Sequence, residues 1–191
     1  TLSAVDSAIV VIDVAKGVES QTEKLVNVAR MRQIPLIVFI NKLDREGKDP
    51  VELMDEVEEK LGLNVLPLSW PIGMGQRFKG VYNMYKQELA LFDPHGQQDE
   101  ENVIKINTLD QATLEPYVGK VAAEEFISEL EVVSMVYDTF DREAYLKGDQ
   151  VPVFFGSAIN NFGVKEMLDG FVEFAPSPLM RITEERIVRP D

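Results

Sequence analysis

Residues 36–40, LIVFI, are apolar at every position and mostly β-branched, and the run stops without transition at Asn41. A strand with one wet face alternates apolar and polar residues; a run with no polar position has to be covered on both faces. Two further runs share this character: SAIVVID at 7–13, which ends in Asp13, and VPVFF at 151–155, which gives way to Gly156-Ser157-Ala158. Helical periodicity follows each run. Residues 20–33 are expected to form a helix with Leu25, Val28 and Ala29 on one face. A second helix is expected from Asp49 as N-cap and Pro50 as first helical residue, with Leu53, Val57 and Leu61 as its apolar stripe. In the third, Val164, Met167, Leu168, Phe171 and Val172 follow the i, i+3, i+4, i+7, i+8 template. Buried strands alternating with helices specify an α/β domain with a parallel sheet.

The texture changes between 64 and 148. Residues 64–92 read as short strands separated by Gly/Pro turns, 93–102 as an acidic polar loop and 103–106 as another strand. Helical material is expected from about 113 to 146. Because strand–helix units resume on either side, this segment is expected to be an inserted α+β subdomain. Residues 1–63 and 149–176 then form the α/β core, and 177–191 a linker toward a following domain. The opening TLSAVDSA reads as the end of a helix already under way, so the chain is expected to be a piece of something longer.

The chemistry concentrates where the apolar runs stop. In open parallel sheets, ligands bind outside the carboxyl ends of the strands, and Asn41, Lys42 and Asp44 sit at such an end. An ionised carboxylate only accepts hydrogen bonds. Asp44 is therefore matched to the paired N1–H and N2 amino donors of guanine, which adenine lacks at those positions. A site built around specific donors rejects an analogue lacking them by ~10⁴ or more, because the buried acceptor is left unpaired. Asn41 can both donate and accept, which suits the base N7 and neighbouring loop amides. The four-carbon stem of Lys42 can cover the flat face of the base while its ammonium stays in water. Asn and Asp are also common turn residues, so the spacing gains its meaning from its place directly after a buried strand. Gly156-Ser157-Ala158 ends another such strand. There a backbone N–H can approach guanine O6, and Ser157 can brace Asp44 or its loop.

FINKLDRE, VPVFFGSAINNFGVKEMLDGFVEFAPSP and VVIDVAKGVESQTEKL together resemble the GTPase domain of the translational GTPases over about residues 1–180. NKLDREGKDPVELMDEVE and LSWPIGMGQRFKGVYN are more similar to the bacterial peptide chain release factor 3 branch than to the elongation factor G branch, the close alternative. The resemblance implies a P-loop-type GTPase domain, GTP/GDP and Mg²⁺ as ligands of the full-length parent, and guanine contacts at Asn41, Lys42, Asp44, Ser157 and Ala158. It further implies a cytoplasmic protein that works on the ribosome to recycle class I release factors, with a ribosomal stalk protein touching the inserted subdomain. The sequence departs from the family in containing no G-x-x-x-x-G-K-[ST], no switch threonine segment and no DTPGH-like turn. Phosphoryl transfer depends on positioning and charge around the phosphates. The expectation is a domain lacking its N-terminal portion, with no catalytic residues of its own, inactive in isolation and binding nucleotide weakly. A non-catalytic module docking a protein through the inserted subdomain is the other class of function left open.

Composition narrows the classes. A net charge of −14 argues against a nucleic-acid backbone as main partner. The absence of cysteine excludes disulfides, thiol catalysis and thiolate metal sites. No apolar run approaches the ~18 residues a membrane span requires. His95, the sole histidine, and the run Asp99, Glu100, Glu101 are expected to be solvated loop residues rather than metal ligands. Trp70, the single tryptophan, is expected to anchor the core of the inserted subdomain, with partner docking as the alternative. Asp13 is expected to face the ligand side of the sheet and cap the following loop, Arg45 to lie at the surface, and the acidic faces of ELMDEVEEK and AAEEFISELE to be solvated.

Overall fold

The computed structural model describes residues 6–94, 102–176, 181–182 and 187–188. The expectations for His95, Asp99, Glu100, Glu101 and most of the 177–191 linker lie outside these residues. Each apolar run is a strand: β1 (Ala8–Asp13), β2 (Leu36–Asn41) and β8 (Val151–Phe155). With β3 (Val65–Pro67) they form a parallel sheet in the order β1-β2-β8-β3. Ser69 to Lys105 supply an antiparallel sheet, β4-β5-β6-β7 (Ser69–Ile72, Gly80–Asn83, Glu88–Leu91 and Val103–Lys105). A two-stranded pairing joins Arg181–Ile182 to Ile187–Val188. The helices are α1 (Ser20–Met31), α2 (Pro50–Leu61), α3 (Gln111–Val118), α4 (Lys120–Val136), α5 (Arg142–Lys147) and α6 (Val164–Phe174).

The parallel sheet carries a core on each face. Leu36, Val38, Ile40, Val153 and Phe155 pack with Val26 and Ala29 of α1 and Leu53, Met54 and Val57 of α2. Ile37, Phe39, Leu66 and Phe154 pack with Tyr145 of α5 and Met167 and Phe174 of α6 on the other face. Asp49 caps α2 as expected: its side chain accepts from the amides of Val51 and Glu52, with Pro50 at the first turn. Such a cap stabilises a helix by about 1 kcal/mol.

Three burial expectations are corrected. Val11 is 55% exposed, because β1 is the edge strand of the described sheet and little packs on its outer face. In α1, Val26 and Ala29 turn inward while Leu25 and Val28 face solvent. In α6 the inward residues are Met167, Gly170 and Phe174, with Leu168 and Val172 exposed.

The segment expected as an inserted subdomain also contributes β3 to the parallel sheet, one residue before β4 begins. The two sheets are fastened at that junction. The Leu68 amide donates to Val153 O (2.9 Å), and the Phe155 amide donates to Ser69 Oγ (3.0 Å). Trp70 is fully buried there, edge-on to Phe155 with ring centroids 5.3 Å apart, and its indole N–H donates to Glu129 Oε2 at 3.0 Å. Trp70 is therefore a core residue, and the docking alternative for it is set aside.

Candidate functional site

Strand register decides where the polar loops meet. Asp13 lies opposite Asn41, and Ile40 lies opposite Phe155, so β1, β2 and β8 end level with one another. The loops leaving them are stitched by backbone bonds: Val14 N–H to Asn41 O (3.0 Å), Gly156 N–H to Ile40 O (3.0 Å) and Leu43 N–H to Gly156 O (3.1 Å). Any Cβ at residue 156 would run into the backbone oxygen of Phe162 and the ring of Phe39. Glycine is thus required where the loop after β8 folds back on itself and lies against the ring of Phe39.

The structure brings Asn41 and Ala158 into direct contact. Asn41 Oδ1 accepts from the amides of Lys42 and Ala158, both at 2.8 Å. An oxygen reaching for the Ala158 N–H would share it with, or take it from, Asn41. Lys42 adopts φ +72°, a left-handed conformation uncommon for lysine. Its carbonyl accepts from the Arg45 amide at 3.0 Å, closing a turn centred on Leu43 and Asp44. Asp44 is half-buried, and its Oδ1 is buried with no hydrogen-bond partner among the described residues. A buried acceptor left unpaired costs about 1–3 kcal/mol, so this oxygen is poised for a donor. Ser157 is fully buried, and its Oγ accepts from Asn160 Nδ2 at 2.9 Å. Ser157 therefore braces its own loop. Arg45 is exposed.

Asp13 works as expected and further. Oδ1 accepts from the amides of Ala15 (2.8 Å) and Lys16 (3.3 Å), capping the loop, while Oδ2 receives the Lys42 ammonium at 2.5 Å. The Lys42 hydrogen bond holds the Asp13 carboxyl below its ordinary range, aided by the two amides and opposed by burial. Leu43 carries no chemistry, yet it fixes the turn. Its side chain is fully buried and its carbonyl accepts from Gly75 N–H at 2.9 Å, tying the turn to the segment after β4. An apolar residue in the middle of a polar turn was the available signal. Glu56, inside the ELMDEVEEK face expected to be solvated, is only 11% exposed in its side chain, because it turns toward the loops instead of water. Among the described residues no group of three or more acidic or histidine side chains is placed to hold a metal ion.

A parallel sheet with helices on its faces and joined polar loops at its strand ends is the architecture of nucleotide-binding α/β domains. The model of the elongation factor Tu GTP-binding domain family matches residues 1–177, and the chain belongs to that family, the translational GTPases. A crystal structure of a Thermus thermophilus protein has a similar fold, with a TM-score of 0.64 and 23% sequence identity. That similarity covers 92% of this chain and 27% of the other, so the chain spans about a quarter of the length of the structure it matches.

Proposed function

We propose that this chain is the guanine-recognition part of a ribosome-dependent GTPase of the release factor 3 type, which promotes recycling of class I release factors. In this reading GTP and GDP are held by their base at Asn41, Lys42, Asp44, Ser157 and Ala158. The phosphates and Mg²⁺ are held by parts of the full-length protein outside this sequence, and the protein is cytoplasmic. The observation that carries it is the Asp44 carboxylate, whose buried Oδ1 lacks a donor at the meeting point of two loops that Asn41 already joins. The base's N1–H and N2 amino group are the donors that would satisfy it. LSWPIGMGQRFKGVYN supports the release factor branch over the elongation factor G branch. Residues 64–148 are read as a module for a ribosomal stalk protein, supported by the exposure of Val132, Met135 and Val136 on α4.

The test is Asp44→Asn in the full-length protein, with GDP and XDP binding measured side by side. Replacing one acceptor oxygen by a donor should move preference from guanine to xanthine by about 10³-fold or more. Unchanged guanine preference would reject Asp44 as the base reader.

A further inference from the structure

Midway along α2, Glu56 receives three donors from three different places. Lys48 Nζ reaches Oε2 at 2.6 Å from the β2–α2 loop, Lys60 Nζ reaches Oε1 at 2.9 Å from the next helical turn, and the Val18 amide reaches Oε1 at 3.0 Å from the β1–α1 loop. Gly17 lies so close that a Cβ there would stand 2.6 Å from Glu56 Oε1, and its φ of +69° suits glycine as well. The carboxylate thus closes directly onto the backbone of one loop and onto a side chain of the other.

Both loops lead to Lys42. The β1–α1 loop begins at Asp13, which holds the Lys42 ammonium. The two loops also run as a seam: Lys48 N–H donates to Val14 O, and Val14 N–H donates to Asn41 O, both at 3.0 Å. Asp13 fixes one end of the β1–α1 loop and Glu56 the other, with four residues between Asp13 and Val18. An isolated i, i+4 pair such as Glu56–Lys60 contributes only a few tenths of a kcal/mol and would need no loop contact. The contacts to Val18 and Lys48 are what make Glu56 more than a helix-surface residue.

We propose that Glu56 is a positioning residue for base recognition, pinning the β1–α1 loop so that Asp13 holds the Lys42 stem in line with the base. This rests on the guanine site proposed above. The pin acts through Lys42, and that separates it from a purely structural ion pair.

The test is a double-mutant cycle in the full-length protein, with GDP affinity measured for wild type, Glu56→Gln, Lys42→Ala and the double variant. Expected are an affinity loss of about tenfold for Glu56→Gln, in the range that coupled positions show, and no further loss when it is added to Lys42→Ala. Multiplying losses would mean that Glu56 acts independently of Lys42 and would overturn the proposal. An unchanged affinity for Lys42→Ala would instead strike the guanine site itself. Lys48→Met, which removes the other loop's share, should show the same dependence on Lys42 should Glu56→Gln fold poorly. In the nucleotide-free protein, amide NMR signals of Lys42 and Ala158 should move in Glu56→Gln along with that of Val18. Movement of Val18 alone would equally overturn the proposal.

Discussion

Gly156 shows how a single residue sets the spacing of the site. Its missing side chain lets the loop after β8 lie against Phe39 and the Phe162 carbonyl, and its carbonyl receives the Leu43 amide. Gly156→Ala should destabilise the fold by about 1–3 kcal/mol, the range for overpacking a tight interior, because the obstruction is backbone and a ring. Chemical denaturation with an unchanged m-value would register this as a lower midpoint. At this scale the sequence was informative about donors and acceptors and silent about who partners whom. Asn41, Lys42 and Asp44 are chemically distinctive, so their role could be argued from residue type. That Asn41 takes the Ala158 amide depends on a contact across 117 residues, which no local pattern contains, whereas Ser157 turns to Asn160 only three residues along its own loop.

Elements were legible to the degree that their burial was complete. β2 and β8 are buried at nearly every position, so their apolar runs could mean nothing else. α1 carries Leu25, Val26, Val28 and Ala29 on adjacent faces, and periodicity cannot choose among them; the sheet does, taking Val26 and Ala29. In α6 the choice falls to Gly170, where a Cβ would lie 2.9 Å from the Phe154 ring, so the helix rests on its smallest residue rather than on Leu168 or Val172. α4 presents the complementary case, burying Ala123, Phe126, Leu130 and Val133 while leaving Met135 79% exposed beside Val132 and Val136. Met135→Glu should change stability by no more than about 0.5 kcal/mol, as for surface substitutions generally. If α4 docks the stalk protein, the same substitution should weaken that binding by about tenfold or more in a pull-down or calorimetric titration. Intact binding would remove α4 from the proposed interface.

Across the whole molecule, acidic surface and stapled loops give opposite responses to pH. Burial pushes the Glu56 carboxyl upward, but the hydrogen bonds from Lys48, Lys60 and Val18 outweigh it and leave it lowered from 4.5 to about 2. A lowered carboxyl contributes stability that is fully present above its unfolded value and lost as the pH falls toward its folded one. Melting temperature should therefore decline between pH 4.5 and pH 2, and Asp13 adds to the same trend. Glu56→Gln should flatten the slope by on the order of 2 kcal/mol over that window, after allowance for the partly wet lysines. The junction between the two sheets has a different consequence. Trp70 is the chain's single tryptophan. It is sealed against Phe155, the residue just before Gly156, with its N–H committed to Glu129. All indole emission from this chain thus originates at one point, two strands wide, beside the loop that carries Ser157 and Ala158, and the molecule holds its own optical gauge of that seam.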